Sequence, residues 1–296
     1  MHPSFRVLIP LSFAVAACGG DTTAPGTSNN PGTPPATIRN VAGSYSRIVS
    51  IGGVTREYIV YVGTTVGATT AAPVVFMFHG SGQSGPQFYN ISKWKEKADE
   101  HGLIAVFPSA LTYCNKEDLN NDGDMTDAGE MTVETKWSSG RLNTAERPLC
   151  SAAERSGVFA SLHMHGGAAE IVSTAARSIS VTGSLGNVDK HVQDAYGITA
   201  LPMTQDMFTR YPGVKVKYVL PMLSMLQLQD VSTYQQLTIN GKLVSQWTWR
   251  TSAVGAGNSF VFSLVGDNDH SYPNGVLHPI VIAEPLWQFF SALQLP

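Results

Sequence analysis

The feature that most constrains this chain is an unbroken apolar run over residues 74–78, which stops at His79 and Gly80. Five apolar residues without alternation, closed by glycine, are typical of a strand buried on both faces of a parallel sheet. The glycines would let the backbone turn sharply and expose N–H groups at the strand end where open α/β sheets bind ligands. A buried strand that merely ends in a glycine turn fits the stretch equally well.

The residues around this run predict the order of an α/β protein. Residues 45–49 and 55–62 are rich in β-branched and aromatic side chains, which predicts an antiparallel hairpin. Residues 91–101 predict a helix and residues 103–108 a second buried strand, so that strand, helix and strand form a βαβ unit. Further along the chain, strands are predicted at 179–185, 214–222, around 247–249 and at 260–265, and a helix at 285–293.

Composition bounds the class of protein. The 296 residues are 43% hydrophobic and 14% charged, which is enough to form a sizeable core. The formal net charge is −3, and the 19 lysines and arginines are scattered without a basic run. The chain is therefore not expected to bind nucleic acid. We also expect the protein to be a monomer.

The first forty residues predict export. Arg6 precedes an apolar segment, 7–17, that is too short to span a bilayer. Residues 15–18 resemble a bacterial lipobox, in which Cys18 would be lipidated, although an ordinary signal peptide with an incidental cysteine is the alternative. Residues 19–40 are rich in Pro, Gly, Thr and Asn and predict a flexible tether. We expect an extracellular or periplasmic protein, anchored by lipid to the outer leaflet of a membrane, with its folded domain over 41–296.

The two remaining cysteines enclose a segment that breaks the α/β rhythm. Cys114 and Cys150 bound an excursion over 114–150. In an exported protein such a pair more often forms a disulfide than a redox or metal site.

Inside this excursion, oxygen-bearing side chains alternate as in a calcium-binding loop. Ligands at the first, third and fifth positions and a glycine at the sixth predict a structural Ca²⁺ site, although position twelve is Gly129 rather than glutamate. A solvated acidic loop is the alternative. The candidate ligands are Asp118, Asn120, Asp122, Asp124, Asp127 and Glu130.

Two later strands end in residues suited to acid–base chemistry. Asp189 follows the strand at 179–185, and His270 follows the strand at 260–265. A carboxylate that orients a histidine, and a histidine able to accept a proton near neutral pH, are two parts of a hydrolase triad. Their order along the chain, acid before histidine, agrees with the order Ser…Asp…His.

These motifs together resemble the polyhydroxybutyrate depolymerase and feruloyl esterase group of secreted α/β-hydrolases. The matching segments are 56–62, 79–82, 94–108, 137–150, 186–189 and 270–275, the last being the most specific. The resemblance implies an α/β-hydrolase-type, mostly parallel sheet with flanking helices, and hydrolysis of polyesters or of feruloyl and acetyl esters of plant polysaccharide without a catalytic cofactor. It assigns Asp189 as the triad acid, His270 as the base, and Gly80 and Ser81 to binding of the oxyanion.

The chain departs from this group at the nucleophile. No Gly-x-Ser-x-Gly sequence occurs, and only seven residues separate Cys150 from Val158. The sheet is therefore expected to lack the nucleophile strand and the adjoining helices. Ser184 is the nearest substitute, although it lies close in sequence to Asp189, and Ser81, Ser84 and Ser271 are weaker candidates.

Two functions follow as hypotheses. The first is an exported serine-type ester hydrolase whose catalysis is impaired or lost. The second is a non-catalytic surface protein that binds a polymer or glycan. Trp137, Trp247 and Trp249 could serve either hypothesis, although packing in the core is the commoner use of a tryptophan.

Overall fold

The computed structural model describes residues 41–67, 69, 71–80, 82–116, 131–137, 159–167, 179–251 and 257–293. The predicted signal peptide with Cys18, the tether, the calcium-loop residues, Ser81 and Cys150 lie outside these ranges, as does the side chain of Cys114. The predicted disulfide and calcium site therefore stay predictions.

A four-stranded sheet forms the N-terminal part of the described chain. Its strands are β1 (Gly43–Ile51), β2 (Val54–Val62), β3 (Val74–Phe76) and β4 (Ile104–Pro108), in the order β1-β2-β4-β3. β1 and β2 pair as the predicted antiparallel hairpin, because Gly52 and Gly53 both adopt positive φ at the turn. Helices α1 (Gly85–Ile91) and α2 (Trp94–His101) connect β3 to the parallel β4, so the predicted βαβ unit is confirmed.

The second sheet has five strands, and the C-terminal ends of three of them form the candidate site described below. After the hairpin of β5 (Leu111–Lys116) and β6 (Met131–Lys136) come β7 (Ser161–His165), β8 (Ser180–Gly186), β9 (Ser232–Ile239), β10 (Lys242–Arg250) and β11 (Ser259–Val265). Their order is β7-β8-β11-β10-β9. β7, β8 and β11 run parallel, whereas β10 is antiparallel to both of its neighbours.

The predicted strand at 214–222 is wrong, because this segment is helical. After α3 (Lys190–Tyr196) come α4 (Met207–Arg210), α5 (Pro212–Tyr218), α6 (Leu220–Leu226) and, near the C-terminus, α7 (Ala283–Ser291). Val214, Tyr218 and Met222 are buried at intervals of four residues, which is a helical spacing. Pro212 begins α5 in the first helical turn, where its missing N–H costs nothing.

The predicted α/β-hydrolase-type fold, with one mostly parallel sheet, is also wrong. The described strands form two mixed sheets and a separate hairpin, and only the pairs β3–β4, β7–β8 and β8–β11 are parallel. The apolar run at 74–78 supplies only a three-residue edge strand, in which Val74 and Phe76 are 49% and 44% exposed. An unbroken apolar run does not reveal whether its strand lies at the centre or at the edge of a sheet, and among the described strands β3 lies at the edge.

The buried side chains of the described residues form three core clusters, one of which contains residues of both sheets. Trp247 and Trp249 are 2% and 0% exposed in the core of the second sheet, so both serve packing. Trp94, which is fully buried, anchors α2 against the first sheet and stacks on Phe290 of α7. Within the described residues, no helix combines the length and the apolar character needed to cross a bilayer.

The carboxylate of Asp99 joins α2 to β2 and to the loop that follows β2 by hydrogen bonds. It accepts hydrogen bonds from the Tyr61 hydroxyl and the Thr64 N–H, each at 2.8 Å. Desolvation raises the pKa of Asp99, but these bonds outweigh it and hold the pKa below its ordinary value. A lowered pKa in the folded state stabilises the protein above the unfolded pKa, and this stabilisation is lost as the pH falls through the folded pKa.

We predict that Asp99→Asn lowers the free energy of unfolding at pH 7 by about 1 kcal/mol, since it weakens charge-assisted bonds at a partly exposed site. The difference from the unsubstituted protein should shrink as the pH is lowered. Urea denaturation followed by circular dichroism at several pH values measures both. Asp194→Asn is the matched control, because among the described residues Asp194 forms its ion pair only with Lys190 at the surface. An Asp99→Asn deficit that stays constant with pH would contradict the role given to the charge.

Candidate acid–base site

The site lies where two neighbouring parallel strands end. β8 ends at Gly186 and β11 at Val265, and these two residues are register partners. The loops that follow are joined by hydrogen bonds. The Asn187 N–H donates to Val265 O at 2.9 Å, and the Asp267 N–H donates to the Asn187 side chain at 2.7 Å. The two loops are therefore held as one unit.

Gly186 allows the second loop to cross directly over the end of β8. A Cβ atom at Gly186 would lie 2.1 Å from the carbonyl oxygens of both Asn268 and Asp269. No side chain fits at that separation. The glycine therefore decides how closely the loop that carries His270 can approach the loop that carries Asp189.

Asp189 and His270 meet as a hydrogen-bonded pair. The Nδ1 of His270 lies 2.8 Å from an Oδ of Asp189. The Asp189 side chain is 1% exposed and caps the N-terminus of α3, where it also accepts a hydrogen bond from the His191 N–H at 2.9 Å. The His270 side chain is 54% exposed. One member of the pair is thus fixed inside the protein, and the other faces solvent.

The electrostatics of the pair favour a charged histidine. Burial raises the pKa of Asp189, but the hydrogen bond and charge of His270, with the His191 N–H, outweigh it and hold the pKa below its ordinary value. The hydrogen bond to Asp189 raises the pKa of His270, against the opposing effect of burial. When His270 is neutral, its Nδ1–H donates to the carboxylate, which leaves the lone pair of Nε2 free to accept a proton.

A third strand ends against His270. β7 lies beside β8 and is followed by Gly166, which has a positive φ of 69°. A Cβ atom at Gly166 would lie 3.0 Å from Cε1 of His270, so the backbone packs on the imidazole ring. The end of β7 carries His165 and two glycines rather than a serine.

Ser184, the sequence's nearest substitute for a nucleophile, is bonded to other histidines. Its hydroxyl lies 2.7 Å from Nδ1 of His165 and 3.3 Å from Nε2 of His163, and the residue is 6% exposed. The Nε2–H of His165 donates to Ser271 O at 2.9 Å, so Nδ1 of His165 accepts the serine proton. Burial lowers the pKa of His163 to about 3 and that of His165 to about 4. This chain of bonds fixes the loop after His270 and gives Ser184 a structural role.

The assignment of Gly80 and Ser81 to oxyanion binding stays a prediction. The Gly80 N–H donates to the Gln83 side chain at 3.2 Å, so it is already occupied, and Ser81 lies outside the described residues. His79 is 2% exposed and accepts a hydrogen bond from the Ala110 N–H at 3.0 Å. Among the described residues, no hydrogen bond joins this loop to the loop of His270.

Two groups of side chains could hold a metal ion within the described ranges. The first consists of Asp189, His191 and His270, and the second of Glu100, His101 and Glu284. His191 was not singled out by the sequence. The only signal that could have found it is its place two residues after Asp189, at the start of a helix.

Comparisons with known proteins identify no family for this chain. No protein-family model and no curated protein matches it. Among solved structures, an acetyl xylan esterase from Aspergillus awamori is similar over 83% of this chain and 99% of that one, with 9% sequence identity and a TM-score of 0.41. A TM-score below 0.5 does not establish a common fold, so function has to be inferred from the site itself.

The tight crossing at Gly186 generates a prediction. Gly186→Ala should lower the free energy of unfolding by about 1–3 kcal/mol, since the added methyl group must displace the backbone at Asn268 and Asp269. Chemical denaturation measures the loss. Gly257→Ala is the matched control, because a Cβ at Gly257 meets nothing within 4 Å. Equal stabilities for the two variants would show that the loop does not cross where described.

Proposed function

We propose that this protein hydrolyses carboxylic esters, with His270 as the general base and Asp189 as the group that orients it. The observation that carries the proposal is the 2.8 Å hydrogen bond between a buried carboxylate and a half-exposed histidine. This is the arrangement by which hydrolases hold an imidazole in the tautomer that accepts a proton.

The attacking group in this proposal is a water molecule. Within the described residues, His270 has no hydrogen bond to a serine, and the Ser184 hydroxyl donates its hydrogen bond to Nδ1 of His165. Nε2 of His270 would take a proton from water as the water oxygen attacks the ester carbonyl carbon. The carboxylate of Asp189 stabilises the imidazolium that forms. The proton then passes to the departing alkoxide, so that one acid and one alcohol leave.

Substrate class and location are proposed on other grounds. An imidazole exposed at the surface suits a chain-like substrate, which could reach it without entering a closed pocket. We propose polyesters, or feruloyl and acetyl esters of plant polysaccharide, on the resemblance of the sequence motifs. We also propose export and lipid anchoring through Cys18, on the pattern of residues 1–40.

Replacing either member of the pair should abolish most of the activity. We predict that His270→Gln and Asp189→Asn each lower kcat for a p-nitrophenyl short-chain ester by at least about 100-fold, the usual loss on removing a general base. His101→Gln is the matched control, since His101 is a histidine that also lies beside a carboxylate, that of Glu100. A serine-directed phosphonate should label no residue. Full activity in His270→Gln would overturn the proposal, and a labelled serine would overturn attack by water.

A second candidate function is binding of a polymer or glycan without hydrolysis. Phe76 and Phe78 are 44% and 37% exposed, their rings stack, and Trp137 lies 5.1 Å from the ring of Phe78. Exposed aromatic faces of this kind bind apolar or sugar surfaces.

Phe78→Ala tests this second function. If the aromatic group binds polymer, this variant should reduce retention of the protein on insoluble polyester or xylan by at least about tenfold, a loss typical of an interface anchor. Sedimentation of the protein with the polymer measures retention. Val276→Ala is the control, because Val276 is an exposed apolar residue, 79% exposed, outside this aromatic group. Retention that is equal in both variants would exclude the aromatic surface.

A further inference from the structure

Three potential ligand atoms converge beside the proposed base. One oxygen of Asp189 and one ring nitrogen each of His191 and His270 lie within 4.8 Å of one another. Asp189 is buried, whereas both histidines are exposed, and their rings meet edge to face with centroids 4.7 Å apart. Exposed rings can rotate without disturbing the core. From this convergence we propose that Asp189, His191 and His270 form a binding site for Zn²⁺.

The chemistry of the three groups selects the ion. Two imidazole nitrogens and one carboxylate oxygen form a ligand set suited to zinc, whereas Ca²⁺ and Mg²⁺ prefer oxygen ligands alone. Zinc bonds of about 2.0–2.2 Å place tetrahedral ligand atoms about 3.4 Å apart, so the two rings need to move inward only slightly. Three protein ligands leave a fourth position open to water.

The carboxylate of Asp189 is already fixed in orientation by a hydrogen bond, as the carboxylate ligands of zinc sites usually are. The His191 N–H fixes Asp189 at 2.9 Å, and α3 begins at the next residue, so that two of the three groups lie on one short, ordered turn. Such hydrogen bonds to the ligand restrict its orientation and strengthen metal binding. His270 comes from the neighbouring loop, so an ion would join the two loops.

The second group of potential ligands, Glu100, His101 and Glu284, is less suited to zinc because its charges and its ring already have partners. The ammonium of Lys97 contacts both Glu100 and Glu284, and it therefore already compensates their charge. The ring of His101 stacks on Trp287 with centroids 5.0 Å apart. A cation entering there would have to displace Lys97 or face its charge. No zinc site is proposed for that group, and His101 provides a control.

Zinc at the first site would block the proposed reaction, and this consequence rests on the proposed function. When His270 is neutral and no metal is bound, its Nδ1 carries the hydrogen and its Nε2 carries the lone pair. A neutral imidazole has only one N–H, so coordination through Nδ1 transfers the hydrogen to Nε2. The base then has no lone pair facing the substrate. Zinc would act as a reversible inhibitor that competes with the Asp189–His270 hydrogen bond.

The test uses the full chain without an affinity tag. ZnCl₂ is titrated in competition with a chromophoric chelator, in parallel with MgCl₂, and ester hydrolysis is measured at the same zinc concentrations. We expect one equivalent of zinc and no magnesium to bind. His191→Ala should weaken zinc binding by at least about tenfold, since loss of even an outer-shell partner costs about 10–100-fold. His101→Ala should bind zinc as the unsubstituted protein does. Circular dichroism verifies that each variant is folded.

The outcomes separate this site from the proposed function. Absence of zinc binding, or equal binding in His191→Ala and the unsubstituted protein, overturns the site even if esters are hydrolysed. Zinc binding that depends on His191 in a protein without esterase activity supports the site and rejects the proposed function. Hydrolysis that is unaffected when zinc saturates the His191-dependent site overturns the blocking role.

Discussion

A buried carboxylate is the constraint on which the site depends. A charge that is almost completely removed from water is costly unless it is paired and hydrogen-bonded, and Asp189 is 1% exposed. Its partners are the His191 N–H at the start of α3 and Nδ1 of His270 on the loop after β11. Satisfying one charge therefore ties a helix, two strand ends and the histidine into one geometry. The same requirement keeps the imidazole in a single tautomer.

The close contact of the loops follows from backbone rather than from side chains. Gly186 allows the carbonyls of Asn268 and Asp269 to pass over the end of β8, and Gly166 places the end of β7 against the ring of His270. Asn187 then joins the loops by accepting the Asp267 N–H. Three parallel strands thus contribute to one edge, although β10, which is antiparallel to both of its neighbours, and β9 complete the sheet.

The fold was predictable only where neighbours in sequence decide it. The β1–β2 hairpin depends on two glycines at its turn, and the βαβ unit from β3 to β4 depends on local periodicity. The segment 214–222 has a strand-like sequence because apolar side chains alternate with Lys215 and Lys217, although the residues that it buries have a helical spacing. The arrangement of the described strands into two mixed sheets depends on pairings that no local pattern encodes. Nothing within residues 74–78 records that β3 lies at an edge, since that depends on partners distant in sequence.

The sequence by itself determined which residues could form an acid–base pair, because Asp189 and His270 each follow a strand and stand in the order of a hydrolase. It also showed that no nucleophile motif is present. Only the tertiary structure decided that the carboxylate is buried while the imidazole faces solvent, that Ser184 is bonded to His165, and that His191 joins the pair. Burial and proximity are properties of contacts between segments some eighty residues apart along the chain, as Asp189 and His270 are, and no local pattern encodes them.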